Sequence, residues 1–237
     1  MRNMRAIYFK EMKSYFNSPM AYIFLVVFAV ITGYFFTRTF FLFNQSNMRA
    51  LFNIIPLVYL FFIPAVTMGL IAREKNLGTM EVMSTLPLKD IEFVAGKFLA
   101  ALSLVLTGLV ISLVHFFTLM QVGTNIDYGA VFTGYLGLAL VGAVYCSVGT
   151  FASSLTDNQV VAFIIGIFIV LIFFLMDKML MFVPISLTGI IQYLSVDYHL
   201  SNISRGVIDS RNLVYFGSVV GLFLFMTVRI LETRRWN

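Results

Sequence analysis

Charged residues are scarce in this sequence: Asp, Glu, Lys and Arg make up 11% of 237 residues, against about 25% in an ordinary soluble domain. Hydrophobic residues make up 60%, including 26 Phe, 11 Tyr and 13 Met. A soluble fold of this size has too little interior to bury that much apolar surface, so lipid must solvate much of it. The composition therefore excludes a soluble domain and predicts an integral membrane protein.

Cysteine is nearly absent, because Cys146 is the only one and lies within an apolar run. This excludes a disulfide framework and a cysteine-based metal site. The net charge of +5 comes from basic residues beside apolar runs, where orientation in lipid explains them better than nucleic acid does. We expect no bound metal, no nucleic acid, and contact with membrane lipid.

Catalytic patterns are missing too. The predicted spans contain no HExxH, no GxSxG and no paired carboxylates, and Gly96-Lys97 lacks the Gly-rich loop and the Ser or Thr of a phosphate-binding loop. His115 is the clear case of an ionisable residue inside a span, and a hydrogen bond to a neighbouring helix is its simplest role. We expect no catalytic residue and no nucleotide site on this chain.

Long apolar runs are what the sequence has in place of these features. Each is close to the roughly 20 residues that a helix needs to cross a bilayer. The prediction is an all-α integral membrane protein with an amphipathic interfacial helix at residues 3–18, an outer segment at 177–211, and six transmembrane helices at 20–43, 51–72, 98–122, 128–154, 160–176 and 213–228. Pro56 and Pro64 are expected to kink the second span. Small residues at Ala143, Ser147 and Gly166 predict close helix packing within one subunit.

The basic residues predict the orientation. With the N-terminus inside, 11 of the 16 Lys and Arg residues fall on the cytoplasmic side and five outside. This satisfies the positive-inside rule, so we expect both termini to be cytoplasmic.

The most polar stretch, residues 73–97, is predicted to be a cytoplasmic loop. Thr79 suits the start of a short helix with Met80, Met83 and Leu86 as exposed apolar positions, which Pro87 would end. Such a helix fits a groove on a soluble partner, and a loop folded onto lipid headgroups remains the alternative.

Several segments together resemble the permease subunits of ABC-2 type transporters. They are 9–19 (FKEMKSYFNSP), 71–81 (IAREKNLGTME) followed by Leu86-Pro87, and 153–159 (SSLTDNQ). Residues 204–209 (SRGVID) and 229–236 (RILETRRW) resemble the gliding-motility permeases, which are close to permeases serving nitrous-oxide-reductase maturation.

The resemblance implies a half-transporter in the bacterial inner membrane. Its partners would be a second permease, identical or paralogous, and ABC ATPase subunits that bind ATP and Mg, with no cofactor on this chain. Residues 184–208 would form short outer helices between spans five and six that cap the exit path. The ATPase-coupling residues would be Arg73, Glu74, Gly78, Thr79, Met80, Glu81, Val82, Met83, Leu86 and Pro87, and a second cytoplasmic contact would be Thr156, Asp157, Asn158 and Gln159.

The implied function is to couple ATP hydrolysis by a separate ATPase to export or to mechanical work across the membrane. The apolar spans favour an amphiphilic or lipid-linked substrate over a hydrophilic ion. Two alternatives stay open: a membrane-embedded lipid-modifying enzyme, and an ATP-independent channel or carrier.

Overall fold

The computed structural model describes residues 2–42, 47–80, 89–124, 126–207 and 209–234, and within these ranges it is helical with no strand. The short connections include a π-helical turn at Arg38–Leu42 and a 3-10 turn at Leu180–Phe182. The helices are α1 Arg2–Asn17, α2 Pro19–Thr37, α3 Arg49–Thr67, α4 Gly69–Asn76, α5 Asp90–Val122, α6 Tyr128–Leu155, α7 Gln159–Leu175, α8 Ile185–Leu194, α9 Val196–Ile203 and α10 Ser210–Arg234.

Five stretches within the described ranges are long and apolar enough to cross a membrane: Pro19–Phe41, Arg49–Asn76, Asp90–Val122, Tyr128–Leu155 and Ser210–Thr233. The fifth predicted span, 160–176, corresponds to α7, an apolar helix of 17 residues, which is about 25 Å long at 1.5 Å per residue and thus at the short end of the spanning range. The predicted all-α, multi-pass membrane fold is confirmed, and α8 and α9 are the short helices between the last two spans.

The predicted loop at 73–97 is shorter in the structure, because helices extend into it from both sides. Residues 73–76 complete α4, and α5 already begins at Asp90. The carboxylates of Asp90 and Glu92 lie in the first turn of α5, where they favour a helix start by opposing the positive end of the helix dipole. The last helix is likewise longer than predicted, and α2 gives way to the π-helical turn at Arg38.

The core is centred on α6, whose glycines allow the neighbouring helices to approach very closely. A Cβ atom at Gly149 would lie 1.9 Å from Oγ1 of Thr67, and one at Gly134 would lie 2.1 Å from the ring of Phe52. A Cβ at Gly166 on α7 would lie 3.3 Å from Pro64. These small residues therefore pack helices of one subunit together, as the sequence predicted.

His115 on α5 contacts α2. Its Nε2 lies 3.3 Å from Oγ1 of Thr32, and its ring stacks on Phe36 with 5.0 Å between centroids. The predicted hydrogen bond to a neighbouring helix is confirmed.

The bundle has two ends, which we name by what they carry. The α1 end comprises α1, α4, the first turns of α5 and α7, and the last turns of α10. The far end comprises α8, α9 and the first turns of α3, α6 and α10.

Candidate functional site

Four charged side chains from three helices meet at the α1 end, and we call them the charge cluster: Lys10, Glu11, Glu74 and Lys97. Nζ of Lys97 lies 2.8 Å from Oε1 of Glu11 and 3.0 Å from Oε2 of Glu74. Nζ of Lys10 donates to Oε1 of Glu74 at 2.7 Å. The cluster therefore connects α1 and α4 to the start of α5.

Lys97 is the buried centre of the charge cluster, with 1% of its surface exposed. An ammonium group is expensive to bury unless it is paired and hydrogen-bonded. The two carboxylates meet that requirement, and the Phe93 ring one helical turn away adds a cation–π contact at 4.9 Å. Oε2 of Glu74 is within ion-pair distance of Lys97 but out of line for a hydrogen bond. Two positive and two negative groups leave the cluster neutral.

Helix α1 is pressed against the first turns of α5. A Cβ atom at Gly96 would lie 2.9 Å from the carbonyl oxygen of Met4 and 3.0 Å from the side chain of Ile7, so only glycine permits this approach. The hydroxyl of Tyr8 donates to Oγ of Ser103 at 3.1 Å, further along α5. The amphipathic helix predicted at the N-terminus is thus part of the bundle's packing.

Tyr15 connects α1 to the end of α3. Its hydroxyl donates to the carbonyl oxygen of Val66 at 3.0 Å. Burial raises the pKa of the Tyr15 phenol well above its usual value, and the nearby carboxylate of Glu11 adds to the shift. The phenol therefore stays protonated and remains a hydrogen-bond donor.

Ser153 of α6 is inserted where α3 ends and α4 begins. Its Oγ accepts from the backbone N–H groups of Ile71 at 2.9 Å and Ala72 at 3.0 Å, and donates to the carbonyl of Met68 at 2.8 Å. A side chain that replaces a helix's own hydrogen bonds is a recognised cause of a bend. The break between the two helices therefore has a local cause beyond the predicted Pro kinks.

The end of α4 is also attached to α6, since Nζ of Lys75 donates to the carbonyl of Ser154. The helix ends at Asn76, and Gly78 just beyond it has a left-handed φ of 67°, which suits glycine after a helix end. As a result, α4 is a short rigid segment attached to α1, α5 and α6.

The structure places the predicted coupling residues as follows. Glu74 is buried in the charge cluster, Arg73 is exposed on the same helix, and Met80 is partly buried against the core. Oγ1 of Thr79 donates to the carbonyl of Glu74 at 3.2 Å. Five other predicted residues lie outside the described ranges: Glu81, Val82, Met83, Leu86 and Pro87.

The predicted second contact, Thr156 to Gln159, is the turn between α6 and α7. Asn158 caps α7 by accepting from Val160 N at 2.9 Å, and Asp157 is exposed. Oε1 of Gln159 would lie 3.1 Å from a Cβ at Gly69, the first residue of α4. The described part of the first predicted contact, residues 73–80, is thus at the same end of the bundle as this turn, since α4 begins beside Gln159.

A cavity of about 460 Å³ lies at the α1 end of the bundle, beside α1, α4 and the start of α7. Its lining includes the charge cluster together with Ser14, Arg73, Thr79 and Gln159.

Sequence reasoning missed Lys10, Glu11 and Lys97. One signal was present: Glu11 shares a helical stripe with Ile7 and Tyr15, which lie four residues away on either side and are both buried. An acid in an apolar stripe indicates a buried cationic partner. The partner itself could not be found, because Lys97 is 86 residues away.

Comparison with known proteins decides the family. The model of a family described as "ABC-2 family transporter protein" matches residues 1–207. The chain belongs to the ABC-2 transporter family. No curated protein gives a significant match. As an ABC-2 protein, this chain is a membrane-embedded transport component, and the cluster lies within the matched region.

Proposed function

We propose that this ABC-2 protein is the permease subunit that couples ATP hydrolysis by a separate ATPase to export, or to mechanical work, across a bacterial inner membrane. The observation that carries the proposal is the attachment of α4. Its Glu74 is bound to α1 and α5 through Lys97 and Lys10, and its C-terminal end leads directly into the segment predicted to dock on the ATPase.

The α1 end faces the cytoplasm in this proposal, with both termini inside. Residues 79–86 sit in a groove on the ATPase, and Thr156 to Gln159 form a smaller contact beside them. This arrangement is supported by the proximity of Gln159 to Gly69 and by the excess of basic residues on that side.

The mechanism follows from the attachments of α4. When ATP closes two ATPase subunits, the docked segments of two permease copies approach each other. Each α4 then moves as a rigid segment. Through Lys97 it displaces α5, and across the break at Met68 it changes the angle of α3. Access to a path between the two permeases changes as these spans tilt.

The substrate class follows from the apolar spans. We expect an amphiphilic or lipid-linked substrate, or force transmission of the kind that gliding-motility permeases would need. The similarity of residues 204–209 and 229–236 to that group supports this assignment.

An enzymatic function would need an acid–base pair inside the membrane. His115 is the sequence's candidate, and its neighbours are the hydroxyl of Thr32 and the ring of Phe36, neither of which is an acid or a base at neutral pH. A carrier would act without an ATPase and would not need the docking contact that the following experiment changes.

The experiment uses the full-length chain purified with its ATPase and reconstituted in lipid nanodiscs. Met83→Asp and Glu81→Arg change the docking segment, and Val207→Asp, at an exposed position of the far end, is the matched control. We expect roughly ten-fold weaker ATPase binding for the first two, because disruption of an interface anchor costs at least about 1.4 kcal/mol. The control should bind normally. Unchanged binding and unchanged ATP hydrolysis in Met83→Asp would refute the proposal.

A further inference from the structure

Helices α5 and α10 leave a crevice between them at the α1 end of the bundle. The inner side of α10 is packed, since the Phe223 ring meets Phe151 of α6 at 5.5 Å and Phe173 of α7 at 6.0 Å. At Gly221, by contrast, an added Cβ atom would meet nothing within 4 Å. The crevice has a volume of about 730 Å³, so α10 stands away from the start of α5 here.

The walls of the crevice are apolar. The α5 wall includes Ile91, Val94 and Ala95, and the α10 wall includes Leu224 and Val228. Both walls belong to membrane spans, so the crevice opens toward lipid. Empty space of this kind would forfeit the dispersion contacts of the atoms that line it. An acyl chain is the group that a bilayer supplies to fill it.

The rim of the crevice carries four charged side chains. Lys89 and Asp90 come from the start of α5, and Arg229 and Glu232 come from the end of α10. The two spans end at this level, at Asp90 and Thr233, which is where lipid headgroups lie. Two positive and two negative groups give the rim no net charge. An apolar crevice below such a rim matches a lipid whose headgroup carries both signs.

Arg229 and Glu232 are arranged to hold a headgroup of that kind. Nη1 of Arg229 donates to Oε2 of Glu232 at 3.2 Å, and its guanidinium lies 4.9 Å from the centre of the Phe225 ring. The two side chains are 63% and 42% exposed. A guanidinium has five N–H donors and a carboxylate about four acceptor positions, so both have capacity beyond this bond. Arg229 can therefore bind a phosphate while Glu232 accepts from an ammonium group.

We propose that the crevice between α5 and α10 is a binding site for a phospholipid with a primary ammonium headgroup, of which phosphatidylethanolamine is the simplest. One acyl chain lies along the apolar walls, Arg229 and Lys89 bind the phosphate, and Glu232 accepts from the ammonium. This goes beyond general contact with lipid, because the rim selects one headgroup. The inference does not depend on the proposed function, since binding is measured without ATP or an ATPase.

Native mass spectrometry of the full-length chain, purified free of lipid, tests the headgroup. Phosphatidylethanolamine and phosphatidylcholine with identical acyl chains are added separately. Choline has no N–H to donate, so we expect phosphatidylcholine to bind about five-fold more weakly, which corresponds to one hydrogen bond. In Glu232→Gln the difference should fall below about two-fold, because a neutral acceptor forms a weaker bond to an ammonium.

Two results with the native chain would overturn the proposal. One is equal binding of the two lipids. The other is tighter binding of phosphatidylglycerol than of phosphatidylethanolamine, which would mean that the rim acts as a basic patch for anionic lipid.

Gly221→Phe tests the crevice itself. The new ring occupies space that the acyl chain needs, and we expect phosphatidylethanolamine to bind about ten-fold more weakly as its packing contacts are lost. Gly217→Phe is the matched control. It is the same change one turn earlier on α10, also with nothing within 4 Å of an added Cβ but outside the crevice lining, and it should bind as the native chain does.

Equal binding by these two variants overturns the proposal and leaves a helix of a partner protein as the occupant of the crevice. If Gly221→Phe fails to fold, Glu232→Gln, a change at an accessible side chain, decides alone.

Discussion

At the α1 end, Lys97 and two carboxylates join three helices through buried charges, and glycines bring α1 and α6 against their neighbours' atoms. At the far end, α8 has no buried residue and is attached through neutral hydrogen bonds to its last carbonyls. The first arrangement resists relative movement of its helices. The second attaches a short helix through its C-terminal carbonyls and buries none of its residues.

The difference matches what an ATP-driven permease would need. A motion imposed at one end is passed on only if the helices there move together, whereas the other end must open and close. The two ends of the same bundle are thus held together by different interactions. The predictions below begin with the changes expected to affect this contrast most.

Lys97→Met should have the largest effect. It leaves Glu11 and Glu74 with Lys10 as their remaining cationic partner, and the loss of the buried ammonium between them costs up to about 3–5 kcal/mol of the free energy of unfolding. Detergent-induced unfolding of the purified chain measures this. Lys178→Met is the matched control at the far end, where the side chain is 48% exposed and the expected loss is below about 1 kcal/mol. Equal losses of stability in the two variants would show that the ion pairs at the two ends do not differ in strength.

Gly149→Ala should destabilise the chain by about 3 kcal/mol, because its new methyl group overlaps Thr67 and the packed helices must separate. Gly189→Ala is the corresponding change in α8, where nothing lies within 4 Å of the new atom. It should stabilise α8 by about 0.5–1 kcal/mol, since alanine favours helix over glycine. Thermal unfolding of both variants tests whether Gly149→Ala lowers the stability and Gly189→Ala raises it. A neutral Gly149→Ala would show that α6 and α3 are not tightly packed.

Ser153→Ala should cost about 2 kcal/mol, because two buried N–H groups of α4 lose their acceptor. Ser147→Ala serves as the control on the same helix. Ser147 is equally buried but bonds only to Val144 within α6, so its loss should be under about 1 kcal/mol. The difference, measured by the same unfolding assay, isolates the junction of α3 and α4.

Asp197→Asn should have the smallest effect, and one that depends on pH. Burial raises the pKa of Asp197, and the ion pair with Lys178 only partly offsets this. The folded chain therefore holds its proton more tightly than the unfolded chain does. The stability from this group is full below the unfolded pKa and is lost as the pH rises through the folded pKa. The asparagine variant should lack this pH-dependent loss of stability. The loss itself should amount to less than about 1 kcal/mol. Parallel pH curves for the two proteins would contradict the assignment.

The sequence was sufficient for the fold, because spanning helices are determined by long apolar runs that each segment carries by itself. It was less informative about where α4 and α5 begin and end. Charged residues such as Lys75 and Lys97 look like loop residues until their partners on other helices are known. Glu74 was predicted as a site residue for its place near the docking segment, while its actual partners could not be deduced.

His199 shows the same limit at the far end. Its segment has no periodic pattern, and one of its partners is the backbone carbonyl of Tyr193, a group that any residue type provides. The docking role of residues 81–87 stays a prediction, since they lie outside the described ranges.

The most direct test of the central claim combines both ends. The triple change Glu11→Gln, Glu74→Gln and Lys97→Met neutralises the buried part of the charge cluster while keeping side-chain shape, which often preserves stability. A spin label at Gly189→Cys, in a Cys146→Ala background, reports movement of α8 when ATP is added to the reconstituted complex. We predict an ATP-dependent change with the native cluster and none in the triple variant, although its ATPase remains bound. The same ATP-dependent change in both would contradict the claim that the charge cluster transmits the motion.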